Sequence, residues 1–161
     1  MLKTPQKGLP AVRYGFTLIE VLVVVSIIGL LASIVLVGLG GFRSQGRDAK
    51  RIADLKQTQN ALELYYTKCQ HYPGDAACGL GDPGDWAGLG SAVAGAGIGV
   101  SKIANDPLPG NPQYDYGVSG NRQNYVLSGT LEDENNSSLK EDSDGTVFGV
   151  LCDDPVYCVE F

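Results

Sequence analysis

The sequence predicts an α+β fold in which a long amino-terminal helix packs its second half on a small antiparallel sheet. Two observations predict the helix: residues 21–42 carry no charge, and an amphipathic stripe follows them. The sheet is predicted by short runs of β-branched and aromatic residues in the carboxyl-terminal part of the chain, separated by turn clusters.

The 22 residues from 21 to 42 are enough to cross a bilayer core of ~30 Å at ~1.5 Å per residue. Glu20 comes directly before them. A carboxylate at such a position is costly in lipid and by default indicates a functional site. A cut after Gly15 would unmask an α-amino group on Phe16, one helical turn from Glu20. The two charges would then neutralise one another, within one helix or between packed neighbours.

These residues resemble a known family signal. The sequence Gly15-Phe16-Thr17-Leu18-Ile19-Glu20, followed by Val-Leu-Val-Val-Val, resembles the class III signal of type IV pilins and type II secretion pseudopilins. The resemblance implies a pilin fold, and a membrane prepilin peptidase that cuts after Gly15 and N-methylates Phe16. It also implies that Glu20 is the assembly carboxylate, which meets the free amino terminus of an adjacent subunit. The alternative is a plain signal anchor with a stray glutamate.

Four segments follow from this interpretation. They are a leader over 1–15, a transmembrane and assembly helix over 16–42, its amphipathic continuation over 43–68, and an extracytoplasmic head over 69–161. The chain lacks the small-residue cleavage site that secretory signals place after their apolar stretch, so processing keeps the helix on the product. Basic residues flank the apolar segment on both sides, and the positive-inside rule does not choose an orientation. The resemblance implies a single-pass protein of the inner membrane that later enters a periplasmic or cell-surface filament.

One continuous helix is expected over residues 17–68, ending at the turn cluster His71-Tyr72-Pro73-Gly74-Asp75. Val37 occupies a position where many family members carry a proline, at which the helix loosens in the filament. The glycines beside it offer a substitute, since glycine weakens a helix by ~1 kcal/mol relative to alanine. The alternative interpretation is that these glycines allow close packing between helices. These glycines are Gly38, Gly40 and Gly41.

The head is expected to contain one short helix and a few strands. The helix is predicted around residues 86–93, with Trp86 and Leu89 as core anchors rather than ligand contacts. Strands are predicted over 113–118, 124–131, 146–151 and 156–161.

Charge is divided unevenly along the chain. Residues 43–68 carry six bases and three acids, whereas residues 69–161 carry three bases and 14 acids. An acidic head repels nucleic acid, so general nucleic-acid binding is not expected. The basic stretch would hold anionic lipid headgroups or the acidic heads of neighbouring subunits, or it is simply a solvated helix face.

The four cysteines all follow the apolar segment, an even number in a small extracytoplasmic head, which favours disulfides. Three connectivities are open. The pairs Cys69–Cys78 and Cys152–Cys158 are favoured, because each closes a short loop that contains turn-forming residues. Zinc is a weaker alternative, since neither pair has the usual ligand spacing and His71 is the only histidine.

The acidic run from Glu141 to Gly145 contains alternating carboxylates, at Asp142 and Asp144, followed by glycine. This pattern resembles part of a calcium loop, because hard cations require several oxygen ligands and a tight turn. Major pseudopilins hold a structural calcium in their carboxyl-terminal loop, and the resemblance therefore implies Ca²⁺ as a candidate cofactor. The alternative is a solvated loop. No catalytic constellation is present in the sequence, so an enzyme is not expected.

These features predict a structural subunit of a type IV pilus-like filament. The implied partners are further copies of the chain, the prepilin peptidase, an inner-membrane assembly platform and, before assembly, the lipid bilayer. The alternative function is the major pseudopilin of a type II secretion system, which the Tyr72-Pro73 pair, the segment from Asp106 to Pro112 and the acidic carboxyl-terminal part favour. Val37 and the disulfide-closed carboxyl terminus favour a pilus. A third possibility is a membrane-anchored binding module that never polymerises.

Overall fold

The computed structural model describes residues 15–74, 78, 85–110 and 114–161. Residues 1–14 of the leader predicted over 1–15, the turn residue Asp75 and the strand start at Gln113 lie outside the described residues. The chain divides into two compact units, of which the first ends at Gly40 and the second is Gly41–Phe161.

The helix α1, Leu18–Cys69, begins in the first unit and ends in the second, within one residue of the bounds predicted at each end. The span Leu18–Val35 is long and apolar enough to cross a membrane, and none of it is buried. It is the one such helix in the described part of the chain. A helix that is apolar on all sides and has no protein around it needs lipid or other helices as its environment.

The second unit contains a three-stranded antiparallel sheet with the strand order β1-β2-β5. Its strands are β1 Asp115–Val118, β2 Tyr125–Thr130 and β5 Val156–Glu160. The register pairs Tyr116 with Leu127, and Ser128 with Cys158. A short 3₁₀ helix, Ser137–Lys140, lies in the connection between β2 and the next strand. The antiparallel sheet predicted from the sequence is confirmed.

One predicted strand is wrong. Residues 146–151, expected as a single strand, form two strands of two residues each, β3 Thr146–Val147 and β4 Val150–Leu151, which pair with one another. The chain reverses at Phe148 and Gly149, whose φ angles are 46° and 88°. Two consecutive residues with positive φ form the tight turn that matches the twist of a two-residue hairpin.

The sheet has two covered faces. On one face, Tyr125 and Leu127 pack with Leu55 and Leu62 of α1. The helix α2, Trp86–Gly95, lies in the same layer, begins at Asp85, whose side chain accepts from the Gly88 N–H, and buries Trp86, Leu89 and Val93. The core roles predicted for Trp86 and Leu89 are therefore confirmed.

On the other face of the sheet, Val126 packs with Val150, Cys152 and Cys158. The second unit thus has three layers. The helices form the first, the sheet forms the second, and the β3–β4 hairpin with the carboxyl-terminal disulfide forms the third.

Candidate functional site

The start of α1 places Glu20 in a capping arrangement with Thr17. The backbone N–H and the hydroxyl of Thr17 both donate to Oε2 of Glu20, at 2.7 Å each. In return the Glu20 N–H donates to Oγ1 of Thr17 at 3.3 Å. This reciprocal pattern satisfies amide groups that the first turn of a helix leaves without partners. The Thr-x-x-Glu spacing of Thr17 and Glu20 is the local sequence signal of this cap.

The peptide bond at which processing is expected joins two exposed residues. Gly15 and Phe16 are exposed, and a Cβ built on Gly15 would meet no atom within 4 Å. Phe16 immediately precedes Thr17, the residue that holds the Glu20 carboxylate. An amine unmasked on Phe16 would therefore arise one residue from a group that already binds this carboxylate.

A buried arginine joins three segments of the second unit. The Arg51 guanidinium is fully buried and its Nη1 donates to Asp48 at 2.7 Å and to Glu132 at 2.8 Å. Its Nε and Nη2 donate to the two carboxylate oxygens of Asp106 at 2.7 and 3.1 Å. Hydrogen bonds to Asp106 and the other carboxylates outweigh burial and raise the Arg51 pKa. Such bidentate, charge-assisted bonds are the strong class of hydrogen bond.

Arg47 extends this cluster toward the surface. Its Nε and Nη2 donate to the two oxygens of Glu132 at 2.6 and 2.5 Å. The hydrogen bonds from Arg47, assisted by those from Arg51, lower the pKa of Glu132 to about 2. Asp48 accepts from the backbone N–H groups of Glu132 and Asp133 at 2.9 and 3.0 Å. The ion-pair cluster, defined as Arg47, Asp48, Arg51, Asp106 and Glu132, therefore ties α1 to the end of β2.

This cluster corrects the interpretation of the basic stretch. Arg47 and Arg51 bind carboxylates of their own chain, so neither a solvated helix face nor a surface for lipid describes them. Three bases of α1 between residues 43 and 56 remain exposed and form no ion pair within the described residues. They are Arg43, Lys50 and Lys56.

The structure pairs Cys69 with Cys78 and Cys152 with Cys158, at Cα–Cα distances of 5.9 and 5.7 Å. These are the two short-loop pairs that the sequence favoured. Cys152 and Cys158 are both buried, in the cluster that Val126 and Val150 form on one face of the sheet. That disulfide therefore holds the loop between β4 and β5 against the core.

The acidic loop brings three carboxylates together. Oxygens of Asp142, Asp144 and Asp154 lie within 4.8 Å of one another. Oδ2 of Asp142 accepts from the Cys158 N–H at 2.8 Å, whereas its Oδ1 is buried and has no hydrogen-bond partner. Burial, together with repulsion from the other two carboxylates, raises the Asp142 pKa.

These residues fit a hard cation such as Ca²⁺. A buried oxygen without a donor, beside two more carboxylates, is the situation that a bound cation would relieve. Asp142 and Asp144 are the residues predicted from the sequence, and Asp154 was missed. It lies ten residues beyond Asp144, and the loop closed by Cys152–Cys158 returns it to the cluster.

Comparison with known proteins finds a sequence motif in the amino-terminal part of the chain and several similar proteins. The prokaryotic N-terminal methylation motif matches residues 11–36. The chain is similar to the type II secretion system core protein G of Escherichia coli (strain K12), with 42% identity over 59 residues, 37% of this chain and 41% of that protein. The proteins of the same name from Aeromonas hydrophila and Vibrio cholerae are 41% and 42% identical over 59 residues. These alignments cover 37% of this chain, and 41% and 40% of the relatives.

The matched part thus spans about two fifths of the length of these relatives. No solved structure matches the chain.

Proposed function

We propose that this chain, which carries the prokaryotic N-terminal methylation motif over residues 11–36 and is similar to type II secretion system core proteins G, is the major pseudopilin of a type II secretion system, a structural protein of the type IV pilin and pseudopilin family rather than an enzyme. In this role it is made as a membrane-anchored precursor, processed at Gly15, and polymerised through α1 into a short periplasmic filament.

One observation carries the proposal. The exposed apolar span Leu18–Val35 begins two residues after the exposed Gly15–Phe16 bond, and the capped Glu20 lies at its start, two residues beyond Leu18. Burying this span against the spans of other copies removes its apolar surface from lipid contact and lets small residues pack closely. Pairing of Glu20 with an amine on Phe16 of a neighbouring copy removes two charges that the apolar environment disfavours, and this pairing sets the register of assembly.

The relatives favour secretion over a pilus. The sequence alone predicts a pilus subunit, with secretion as the alternative. The similar proteins are each named type II secretion system core protein G, which supports the alternative. The Tyr72-Pro73 pair at the end of α1 points the same way. The pilus interpretation rested on Val37 and on a disulfide-closed carboxyl terminus, neither of which specifies a surface fibre.

The partners and the location follow from this role. The membrane-anchored precursor meets the prepilin peptidase in the inner membrane, with its head on the extracytoplasmic side, and an assembly platform extracts it into the filament. The two disulfides fit an oxidising compartment for the head. The proposal includes a structural Ca²⁺ held by Asp142, Asp144 and Asp154, which would neutralise their charge and fix the loop that carries them.

Processing is tested by the intact mass of the protein isolated from membranes of cells that contain the peptidase. We expect the mass of a chain that begins at Phe16 and carries one methyl group. A chain that still begins at Met1 would refute the assembly mechanism, since no amine would exist beside Glu20.

Deleting the gene separates the two filament types: a secretion role predicts retained exoproteins, and a pilus role predicts loss of surface fibres with secretion intact.

A further inference from the structure

The tip of the β3–β4 hairpin displays an aromatic side chain in a conformation that such residues rarely adopt. Phe148 has a φ of 46° and its side chain is 37% exposed. Asn or Asp is the preferred residue before glycine in this kind of turn, and a bulky residue with positive φ is an outlier. Leu151, at the base of the same hairpin, is 58% exposed. A strained backbone conformation at a residue that remains partly exposed points to a function for its side chain.

A groove of matching size lies in the helix layer. It runs between α1 and residues 100–104 and has a volume of about 160 Å³. Its apolar lining includes Ala61, Leu64, Val100 and Ile103. An apolar cavity of roughly 150 Å³ accepts one benzene molecule. The groove therefore has room for the ring of a single phenylalanine.

The tip and the groove lie on opposite faces of the second unit. The hairpin packs on the sheet face that carries Val126, where a Cβ on Gly117 would lie 2.7 Å from the Phe148 carbonyl oxygen. The groove belongs to α1, which covers the other face of the sheet. Phe148 is thus separated from the groove of its own chain by the sheet. A contact between them must join two copies, and a contact between different surfaces of identical subunits generates helical filaments when it does not close into a ring.

Charge favours the same pairing. Residues 141–161, which surround the hairpin in sequence, contain six acids and no base, so the segment remains acidic even when the proposed Ca²⁺ adds its two positive charges. Lys102 lines the groove, and Lys50 lines the cleft that adjoins it. Within the described residues neither lysine pairs with a carboxylate. Opposite charges on the two surfaces would steer the copies into this orientation and disfavour like-with-like contacts.

We propose that Phe148 of one copy inserts into the groove beside Leu64 of a neighbouring copy, forming a contact between heads in the filament. The inference rests on the proposed function, because it requires that the chain polymerises. It adds a second contact to the one between amino-terminal helices, and it names the residues on each side.

The contact is tested in full-length protein assembled in cells, by replacing Phe148 with a photo-crosslinking phenylalanine analogue and mapping the products by mass spectrometry. We expect crosslinks to residues 57–64 or 98–104 of a second copy. Crosslinks only to other parts of the chain or to another protein, or no crosslink in assembled polymers, would overturn the inference.

Two substitutions provide the quantitative test. Phe148→Asn creates the Asn-Gly pair that the turn prefers, so the melting temperature should stay the same or rise. Polymer yield should nevertheless fall by more than about tenfold, as for a hot-spot side chain. Leu64→Lys should reduce the yield similarly, and Thr67→Lys, an exposed change on the same helix, should not.

Unchanged yields for both Phe148→Asn and Leu64→Lys overturn the inference and leave the proposed function intact, provided that wild-type polymers form. Absence of wild-type polymers overturns both. If Phe148→Asn lowers the melting temperature, the side chain also has a role in folding. The presence or absence of crosslinks to a second copy then decides whether the proposed contact exists.

Discussion

The Thr17 N–H and hydroxyl both bind the same carboxylate oxygen of Glu20, at 2.7 Å, and leave the second oxygen, Oε1, outside this pair of bonds. Glu20 therefore has two separable roles. It caps its own helix through Oε2, and it can receive an amine through the rest of the carboxylate. Substitutions at positions 17 and 20 distinguish these roles.

Glu20→Ala should abolish polymers while the protein remains in the membrane, because the apolar span is unchanged. Thr17→Ala removes the hydroxyl half of the cap, which costs about 1 kcal/mol of helix stability, and should leave polymers in place. Polymer yield after membrane fractionation measures both. Equal losses for the two variants would mean that Glu20 acts only as a cap.

Arg51→Ala should destabilise the second unit by roughly 3–5 kcal/mol, because it leaves Asp48 and Asp106 with buried charge and no cation. The matched control is Arg43→Ala, an exposed change on the same helix that should stay within about 0.5 kcal/mol. Denaturant unfolding monitored by fluorescence of Trp86, the single tryptophan, reports both. A small effect at Arg51 would show that water enters the cluster freely.

Acid should weaken the fold through Glu132. Its pKa is lowered from 4.5 to about 2, chiefly by Arg47, so its ionised form stabilises the folded state. That contribution is complete above the unfolded pKa and is lost as the pH falls from 4.5 to about 2. Glu132→Gln should lower the free energy of unfolding at pH 6. The variant should also lose less of this free energy than the wild type as the pH falls from 4.5 to about 2. The Asp106 pKa is also lowered, because hydrogen bonds from Arg51 outweigh burial. The variant should therefore still lose some stability as the pH falls. Parallel pH profiles for variant and wild type would contradict the assignment.

Calcium should raise the melting temperature of the wild-type protein by several degrees, since a ligand at a hundredfold excess over its Kd contributes about 2.7 kcal/mol. Asp142→Asn should remove this response. In the presence of a chelator, the melting temperature of the variant should match or exceed that of the wild type, because a buried oxygen without a donor loses its charge. Asp115→Asn, at an exposed carboxylate in β1, is the control. A calcium response that survives Asp142→Asn would place the cation elsewhere.

Mass mapping without reduction should recover Cys69 linked to Cys78, and Cys152 linked to Cys158. Replacing Cys152 and Cys158 by alanine should cost roughly 2 kcal/mol from the lost loop constraint alone. It should also weaken the calcium response, because the disulfide-closed loop carries Asp154. A full calcium response in that variant would show that the loop holds its position without the covalent link.

Much of the fold could be predicted because the signals are local. The bounds of α1 follow from an unbroken apolar run and a proline-containing turn, and α2 follows from the proline-free run around residues 86–93. The split of residues 146–151 could not be foreseen. Gly149 was the one turn signal, and Phe148 is a residue that the turn disfavours.

The residues of the candidate sites likewise divide into those with a local sequence signal and those without one. Glu20, Asp142 and Asp144 stand in recognisable local patterns and could be named from the sequence. Asp154 and the partners of Arg51 could not, because they depend on tertiary folding. Arg51 meets Asp106 55 positions later and Glu132 81 positions later, and no spacing rule relates them.

The ion-pair cluster has a practical consequence for studies of the soluble part of this protein. Three of its five members precede residue 52, in the part of α1 that follows the apolar span. A truncation that begins the chain after Arg51 would strip Asp106 and Glu132 of their cations and expose the edge of the core. The boundary should instead lie near Gly41, so that the fragment retains its own counterions.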